Sequence, residues 1–193
     1  MFVTLEGVDG AGKSTQARLL ADALGPGTLL LREPGGTPAG ERLREILKDA
    51  TVELTPRAEL VDRVIVPALE GGRDVVCDRF VDSTTAYQGG ARGIDPGLVR
   101  ILNEAAVQGC MPDRTVLLRL GTAVAAERAD GRCDAPISDR FESEGGGFQD
   151  RIAVEFDRLA AAEPERFAVV DAGGSVEDVH ARLLTALGLG EGG

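Results

Sequence analysis

Hydrophobic positions along the chain form short apolar runs, separated by stretches in which they recur every three or four residues. Short apolar, β-prone runs are typical of buried strands, and five of them cover residues 2–6, 28–31, 74–77, 115–120 and 167–170. The wider spacing is typical of helices, which we predict over residues 14–24, 39–48, 56–70, 95–108, 122–129, 148–162 and 176–187. Strands and helices therefore alternate along the chain.

This alternation predicts an α/β fold of three layers, in which helices cover both faces of a five-stranded parallel sheet. We expect one domain over residues 1–193, with ligands at the carboxyl ends of the strands. Residues 130–147 are polar and glycine-rich with little periodicity, which predicts a mobile lid. We expect residues 188–193 to form a flexible tail.

Composition and charge narrow the range of functions. The formal net charge of −11 disfavours nonspecific binding to nucleic acid or to an anionic membrane. The three cysteines lie far apart and only one histidine, His180, is present, which disfavours zinc sites and a histidine-based triad. There is no apolar run of membrane-spanning length and no basic leader, so we expect a cytoplasmic protein without a membrane span.

The segment at residues 7–14 reads G-V-D-G-A-G-K-S and matches the phosphate-binding pattern G-x-x-x-x-G-K-[ST]. Glycines let the backbone aim N–H groups at phosphate, Lys13 would reach the β- and γ-phosphates, and the Ser14 hydroxyl would ligate Mg²⁺. A strand precedes the loop and a helix follows it, which disfavours a mere glycine-rich turn. We therefore predict ATP and Mg²⁺ as ligands, bound by Gly7, Val8, Asp9, Gly10, Ala11, Gly12, Lys13, Ser14 and Thr15.

A second chemical signal follows the strand predicted at 74–77. Asp78 stands where a carboxylate can orient Mg²⁺ beside such a loop. Arg79 would enter the same cleft and hold a phosphate through its forked guanidinium. The alternative is structural, with Asp78 capping a turn and pairing with Arg79.

Four segments together carry a family resemblance: E-G-V-D-G-A-G-K-S-T at 6–15, R-E-P-G-G-T at 32–37, D-R-F-V-D-S-T-T-A-Y-Q-G at 78–89 and D-R-F-E at 139–142. In this order and spacing, they make the chain resemble the thymidylate kinases over nearly its whole length. The resemblance implies a P-loop kinase fold and transfer of the ATP γ-phosphate to dTMP in dTTP synthesis. It also implies a homodimer.

The resemblance further implies roles for single residues. Asp9 matches a carboxylate on the sugar 3′-OH, and Glu33 matches one near the acceptor site. Tyr87 matches a ring that crowds the 2′ position, although core packing is the alternative for this only tyrosine. The acceptor phosphate is implied to contact Arg44 and Arg79, and the thymine and sugar to contact Ser83, Thr84 and Gln88.

The family has two classes that differ at the position of Gly10. One class has arginine there and a lid poor in basic residues, whereas the other, mostly bacterial class has glycine and a catalytic arginine in the lid. This chain resembles the second class, with Arg128, Arg132 and Arg140 around the lid. Solvated surface charge is the alternative for any one of these arginines, and Arg140, in D-R-F-E, is the favoured catalytic residue.

The implied acceptor is a phosphate oxygen that is already anionic near neutral pH, so no strong general base is needed. Catalysis would depend on positioning and on neutralising charge in an in-line transfer. The residues predicted to share this work are Lys13, Arg79, Arg140 and Asp9.

The chain departs from the family after Leu60, where about ten residues are absent. The missing stretch normally supplies a phenylalanine that stacks on thymine and an arginine that reads its carbonyl edge. Arg57 or Arg63 could replace that arginine. The departure leaves open a kinase with relaxed base specificity, or a nucleotide-binding protein without turnover. A second departure is Arg119, at a position where the family often has Asp or Asn. This arginine either changes the electrostatics of the cleft or points to solvent.

Overall fold

The computed structural model describes residues 1–33, 54–130 and 146–190. These residues form one sheet of five parallel strands in the order β2-β3-β1-β4-β5. The strands are β1 (Phe2–Glu6), β2 (Leu29–Arg32), β3 (Val75–Asp78), β4 (Arg114–Arg119) and β5 (Phe167–Asp171). Each lies within one residue of its predicted bounds, and the predicted fold class is confirmed.

The described helices follow the predicted ones closely. They are α1 (Lys13–Leu24), α2 (Leu54–Leu60), a π-helical turn (Val61–Ile65), α3 (Val66–Glu70), α4 (Val81–Thr84), a second π-helical turn (Thr85–Ala91), α5 (Pro96–Val107), α6 (Thr122–Asp130), α7 (Gly146–Ala162) and α8 (Val176–Ala186). The helix predicted over 39–48 and most of the predicted lid lie outside the described residues. In the described ranges, no helix is both long and apolar enough to cross a membrane.

The inner strands β1 and β3 are buried on both faces of the sheet. Successive residues of β1 point to opposite sides and so reach two different apolar clusters. Val3 and Leu5 belong to one apolar cluster, which includes Leu20 of α1. Phe2 belongs to the other cluster, where its ring packs edge-on against Phe80 at 5.2 Å between centroids. This two-sided burial explains the apolar character of the inner strands, whereas the edge strands β2 and β5 expose Leu30 and Val169.

The helix predicted over 56–70 is present, but its hydrogen bonding changes at Val61–Ile65. Pro67 has no N–H to donate, and its ring would crowd the carbonyl one turn earlier in a regular helix. The wider π-helical turn immediately before it accommodates this constraint. Leu60 therefore leads directly, with no loop, into the segment that ends at Glu70.

Sequence reasoning missed the helical segment over residues 81–91. Its Asp, Ser, Thr and Gly residues are poor helix formers, so local preference argued against it. Packing reverses this, because Ala86, Tyr87 and Ala91 are buried in the core cluster beside Phe148 of α7. Gly90 allows the close approach, since a Cβ there would lie 2.6 Å from the Cβ of Glu155.

Replacing Gly90 with alanine should test this contact. We expect Gly90→Ala to lower the free energy of unfolding by about 1–3 kcal/mol, because the backbone of α7 would have to shift. Chemical denaturation measures the change. Gly27→Ala is the matched control, since nothing lies within 4 Å of a Cβ there. Equal free energies of unfolding for the two variants would contradict the packing argument.

Candidate active site

The loop between β1 and α1 requires glycine at two close contacts. A Cβ on Gly7 would lie 2.6 Å from the carbonyl oxygen of Leu118, and one on Gly10 would lie 2.0 Å from that of Ala125. Both glycines also have positive φ angles, of 144° and 84°. The contact at Gly10 leaves no space for an arginine, which agrees with the class that the sequence resembles.

Lys13 begins α1 and is buried against this loop. Its Nζ donates to the carbonyl oxygens of Gly7 at 3.0 Å and Val8 at 2.9 Å. Burial, together with the charge of Arg79, lowers the pKa of Lys13 to about 8, although Asp9 acts in the opposite direction. The loop therefore holds a desolvated cation where anionic oxygens can replace the carbonyl groups.

Ser14 and Asp78 meet at the foot of the loop. The Ser14 hydroxyl donates to Oδ2 of Asp78, and Nε of Arg32 lies 3.8 Å from the same oxygen. Oδ1 of Asp78 is buried and has no hydrogen-bond partner within the described part of the chain. An unsatisfied carboxylate oxygen beside a hydroxyl fits Mg²⁺, which takes few protein ligands and completes its shell with water and phosphate.

Arg79 has an unusual backbone conformation, with a φ angle of 70°. A non-glycine residue in this region costs of order 1–3 kcal/mol, and such strain clusters at functional sites. The side chain forms an ion pair with Asp9, and its Cζ lies 5.0 Å from the centroid of the Tyr87 ring. The structural alternative, an ion pair between Arg79 and Asp78, is therefore not what the structure has.

Asp9 is the centre of a polar cluster. The Tyr87 hydroxyl donates to its Oδ1 at 3.1 Å, and the Gln149 amide donates to its Oδ2 at 3.2 Å. Burial raises the pKa of Asp9, but Arg79 and Lys13 outweigh this and bring it down to about 2. Asp9 is therefore ionised near neutral pH and can only accept hydrogen bonds.

Sequence reasoning missed Gln149, which lies in the first turns of α7. In the sequence, Gln149 lies directly after the predicted lid, where a helix returns to the nucleotide cleft, and this position could have identified it. Its Oε1 is also buried without a hydrogen-bond partner among the described residues.

Glu6 is a second residue that sequence reasoning missed. It ends β1, is fully buried, and accepts hydrogen bonds from the N–H of Phe80 at 2.7 Å, the N–H of Ser83 at 3.3 Å and the Ser83 hydroxyl at 2.5 Å. Glu6 thus satisfies the N–H groups that begin α4 and fixes the peptide that follows Arg79. Burial, with the nearby charge of Asp82, raises the pKa of Glu6 to about 8.

The residues predicted to contact the acceptor are brought together on the segment 81–91. Ser83, Thr84, Tyr87 and Gln88 are all buried there, and Gln88 has an Oε1 without a hydrogen-bond partner in the described ranges. Glu33, also buried, forms an ion pair with Arg57 at 2.6 Å.

Other predicted residues lie elsewhere. Arg128 donates to the carbonyl oxygens of Ala172 at 3.0 Å and Gly174 at 3.3 Å, so it holds the loop after β5. Val8 and Ala11 are buried in the core cluster, and Thr15 is half-buried on α1. Arg44, Arg132 and Arg140 lie outside the described residues.

Arg119 points away from the cleft. Its guanidinium donates twice to Oδ1 of Asp157, at 3.0 and 2.6 Å, and both side chains are more than half exposed. Of the two alternatives for this departure from the family, the structure has the solvent-facing one.

Known proteins resemble this chain over almost all of its length. The family model described as thymidylate kinase matches residues 5–183. The thymidylate kinase of Rhizorhabdus wittichii is 44% identical over 202 alignment positions, covering 96% of each chain. The thymidylate kinase of Desulfovibrio desulfuricans is 45% identical, covering 97% of this chain and 94% of its own.

The chain belongs to the thymidylate kinase family. A crystal structure of the thymidylate kinase from Ehrlichia chaffeensis superposes with a TM-score of 0.76 at 32% identity, covering 97% of this chain and 98% of that one. The alignment with the Rhizorhabdus relative runs over 202 positions and this chain has 193 residues, so at least nine positions have no residue here.

Two variants of Glu6 should separate its hydrogen bonds from its charge. Glu6→Ala leaves the N–H groups of Phe80 and Ser83 without an acceptor, which should cost about 1–3 kcal/mol for each buried group. Glu6→Gln keeps an acceptor oxygen and resembles the protonated acid. We therefore expect thermal and chemical denaturation to show a large loss of stability for the alanine variant only.

The pH dependence of the same variants gives a further control. With its pKa raised from 4.5 to about 8, Glu6 binds more protons when folded than when unfolded across this range. Its contribution to stability should therefore fall as the pH rises from 4.5 to 8. Relative to the wild type, Glu6→Gln should gain stability over that interval and level off above it. A difference that does not change with pH would refute the raised pKa.

Proposed function

We propose that this chain transfers the γ-phosphate of ATP to dTMP, giving ADP and dTDP, with Mg²⁺ as the metal. The observation that carries the proposal is the cleft at the carboxyl ends of β1 and β3. There, Lys13 and Ser14 of the phosphate-binding loop lie next to the cluster of Asp9, Arg79 and Tyr87. Membership of the thymidylate kinase family supports the choice of substrates.

The donor side consists of the loop and the start of α1. Backbone N–H groups of the loop and the amino end of α1 would bind the phosphates of ATP, and Lys13 would turn from the carbonyl oxygens of Gly7 and Val8 to those phosphates. Ser14 and Oδ1 of Asp78 would hold Mg²⁺, which supplies charge neutralisation on the phosphate oxygens. Arg128 is proposed at the edge of this site, where it supports the loop after β5.

The acceptor side consists of residues that are already oriented. Arg79 would hold the acceptor phosphate with its guanidinium, and the ionised Asp9 would accept a hydrogen bond from the sugar 3′-OH. Tyr87, held by Asp9 and Arg79, would lie along the sugar. Since the acceptor oxygen is anionic, these residues contribute position and charge, and no proton-accepting base is required.

Further parts of the proposal come from the resemblance. The proposed site is completed by Arg44, which would contact the acceptor phosphate, and by two arginines of the lid, Arg132 and Arg140. Of these two, Arg140 would be catalytic. We also propose a single domain and a cytoplasmic homodimer. The exposed apolar side chains of Leu98 and Ile101 on α5, 48% and 56% exposed, support a partner-covered face.

The reaction can be tested by coupled ADP release. We expect turnover with dTMP to exceed turnover with dUMP, dCMP or AMP. Equal rates with all four acceptors would instead support relaxed base specificity. If calorimetry shows ATP binding but no acceptor leads to ADP, the chain would be a nucleotide-binding protein without turnover. The structure opposes this alternative, because one cleft contains Lys13, Ser14, Asp78 and Arg79.

A matched pair of variants serves as the control in this assay. Asp78→Asn removes the buried carboxylate proposed for Mg²⁺ and should lower kcat by about 100-fold or more. Asp157→Asn removes an exposed carboxylate from the Arg119 pair, which contributes little, and should leave kcat unchanged.

The lowered pKa of Lys13 makes ATP binding sensitive to pH. The group is protonated below about pH 8 and neutral above it, so a bound phosphate should raise its pKa and draw in a proton. We expect proton uptake on Mg·ATP binding at pH 8.5, measured by calorimetry in buffers of different ionisation enthalpy. A Lys13→Arg variant, which stays protonated, should show none; uptake equal to that of the wild type would count against this assignment.

A further inference from the structure

The strained backbone of Arg79 is held from two places. The first is the edge of the cleft, where the N–H of Arg79 donates to the carbonyl oxygen of Leu5 at 3.0 Å and the N–H of Phe80 donates to Glu6. A left-handed conformation in a residue other than glycine persists only where the surrounding structure over-determines it. The second place lies beneath the cleft, at Asp82 of α4.

Asp82 is a buried carboxylate on the side of α4 that faces the sheet, with 3% of the residue exposed. Both of its oxygens accept from Arg166, Oδ2 from Nη1 at 2.7 Å and Oδ1 from Nη2 at 2.8 Å. The Thr115 hydroxyl of β4 also donates to Oδ2, at 3.2 Å. Two parallel hydrogen bonds between planar groups fix direction as well as distance, so α4 cannot rotate without breaking the pair.

Arg166 comes from the opposite edge of the sheet. It directly precedes β5, so its backbone lies at the amino ends of the strands, whereas the cleft lies at their carboxyl ends. Its carbonyl oxygen accepts from the N–H of Thr115 at 2.9 Å, and its side chain donates to Glu163 at 2.8 and 3.0 Å. Its Cζ lies 4.6 Å from the centroid of the Phe167 ring. Backbone and side chain therefore both hold Arg166, which makes it a fixed point for Asp82.

Two threonines connect this pair to the strand that precedes the phosphate-binding loop. Thr115 on β4 and Thr4 on β1 are partners in the ladder, with 2.9 Å between their hydroxyl oxygens. The single O–H of Thr115 is donated to Asp82, so Thr4 donates to Thr115, which also accepts from Arg166 at 2.6 Å. Thr4 and Glu6 are two residues apart in β1 and share one face of the sheet. Asp82 and Glu6 thus attach the start of the helical segment to this face at two points.

The pair of Asp82 and Arg166 contributes orientation more than stability. Withdrawing two charges from water offsets most of their attraction, so replacing a buried pair by uncharged groups of similar size is often neutral for folding. Phe80 and Val81 already bury apolar surface against the sheet, but apolar contacts are not directional. The ion pair is what selects one orientation of α4 among those that would bury the same surface.

We propose that Arg166, acting through Asp82, is a positioning residue for Arg79, because the buried ion pair holds α4 and the turn before it so that the Arg79 guanidinium is aimed at the acceptor phosphate. This inference rests on the proposed function for the identity of the anion that Arg79 binds. The orientation of Arg79 itself is a property of the folded chain, whatever its substrate.

Acceptor kinetics of the double variant Asp82→Asn with Arg166→Met test the assignment. The variant removes both charges, while asparagine keeps an acceptor oxygen for the Thr115 hydroxyl. We expect KM for dTMP to rise about tenfold and KM for ATP to change less than about threefold, because a displaced Arg79 binds only the acceptor poorly. Arg119→Met is the matched control, since it removes an exposed arginine that also donates twice to an aspartate, and it should change neither value.

Thermal denaturation separates positioning from a loss of folding. Arg166→Met alone leaves Asp82 buried without this partner and should lower the melting temperature, whereas the double variant should stay close to the wild type. A folded double variant with the wild-type KM for dTMP would overturn the proposal, and so would equal increases in KM for dTMP and ATP. Arg166→Lys keeps the charge without the fork and should give an intermediate KM for dTMP. If the double variant does not fold, a wild-type KM for dTMP in Arg166→Lys would overturn the proposal.

Crystal structures of the wild type and the double variant test the positioning without any substrate. In the variant we expect the φ angle of Arg79 to leave its value of 70° or the ion pair with Asp9 to break. If Arg79 moves in this way but the wild type does not phosphorylate dTMP, the kinase function is refuted and the positioning role stands. An unchanged turn at Arg79 in the variant would refute the positioning role, whatever the wild type phosphorylates.

Discussion

The pairing of β1 with β3 is the constraint on which the candidate site depends. In this parallel ladder Leu5 lies opposite Asp78, so both strands end at the same edge of the sheet. The phosphate-binding loop that follows Glu6 and the turn at Arg79 therefore emerge side by side. Further bonds hold this junction, because the N–H of Arg79 donates to Leu5 and the N–H of Phe80 donates to Glu6. The contacts between Ser14 and Asp78, and between Asp9 and Arg79, follow from this register.

Electrostatics within the cleft resolves an apparent conflict between a net charge of −11 and anionic ligands. Lys13 and Arg79 are both withdrawn from water beside Asp9, so their charges are balanced locally while the rest of the surface stays acidic. Desolvated charges interact strongly over short distances, which is why a few cations suffice. Phosphate oxygens that enter the cleft would replace the carbonyl and carboxylate oxygens that Lys13 and Arg79 now contact.

The helical segment that is shortened after Leu60 still carries a buried cation that joins neighbouring elements. After Leu60 the helix continues without a loop through the π-helical turn, and Arg57, less than one turn before Leu60, is directed inward to Glu33 and Thr84. The same segment holds Arg63 on the surface. Both arginines were open substitutes for the missing family residue at the level of sequence, and only the path of the helix distinguishes them.

The sequence by itself determined the five strands, most of the described helices and the phosphate-binding loop, because apolar periodicity and the Gly7-to-Ser14 spacing are local signals. It also placed Asp78 and Arg79 at a strand end. Tertiary structure alone decided the helix over residues 81–91, since packing against α7 overrides poor helix formers. It also decided the contacts of Glu6, Gln149 and Arg57, whose partners lie far away in the chain. Hydrogen bonds between distant residues leave no periodic pattern, so only the assembled fold reveals them.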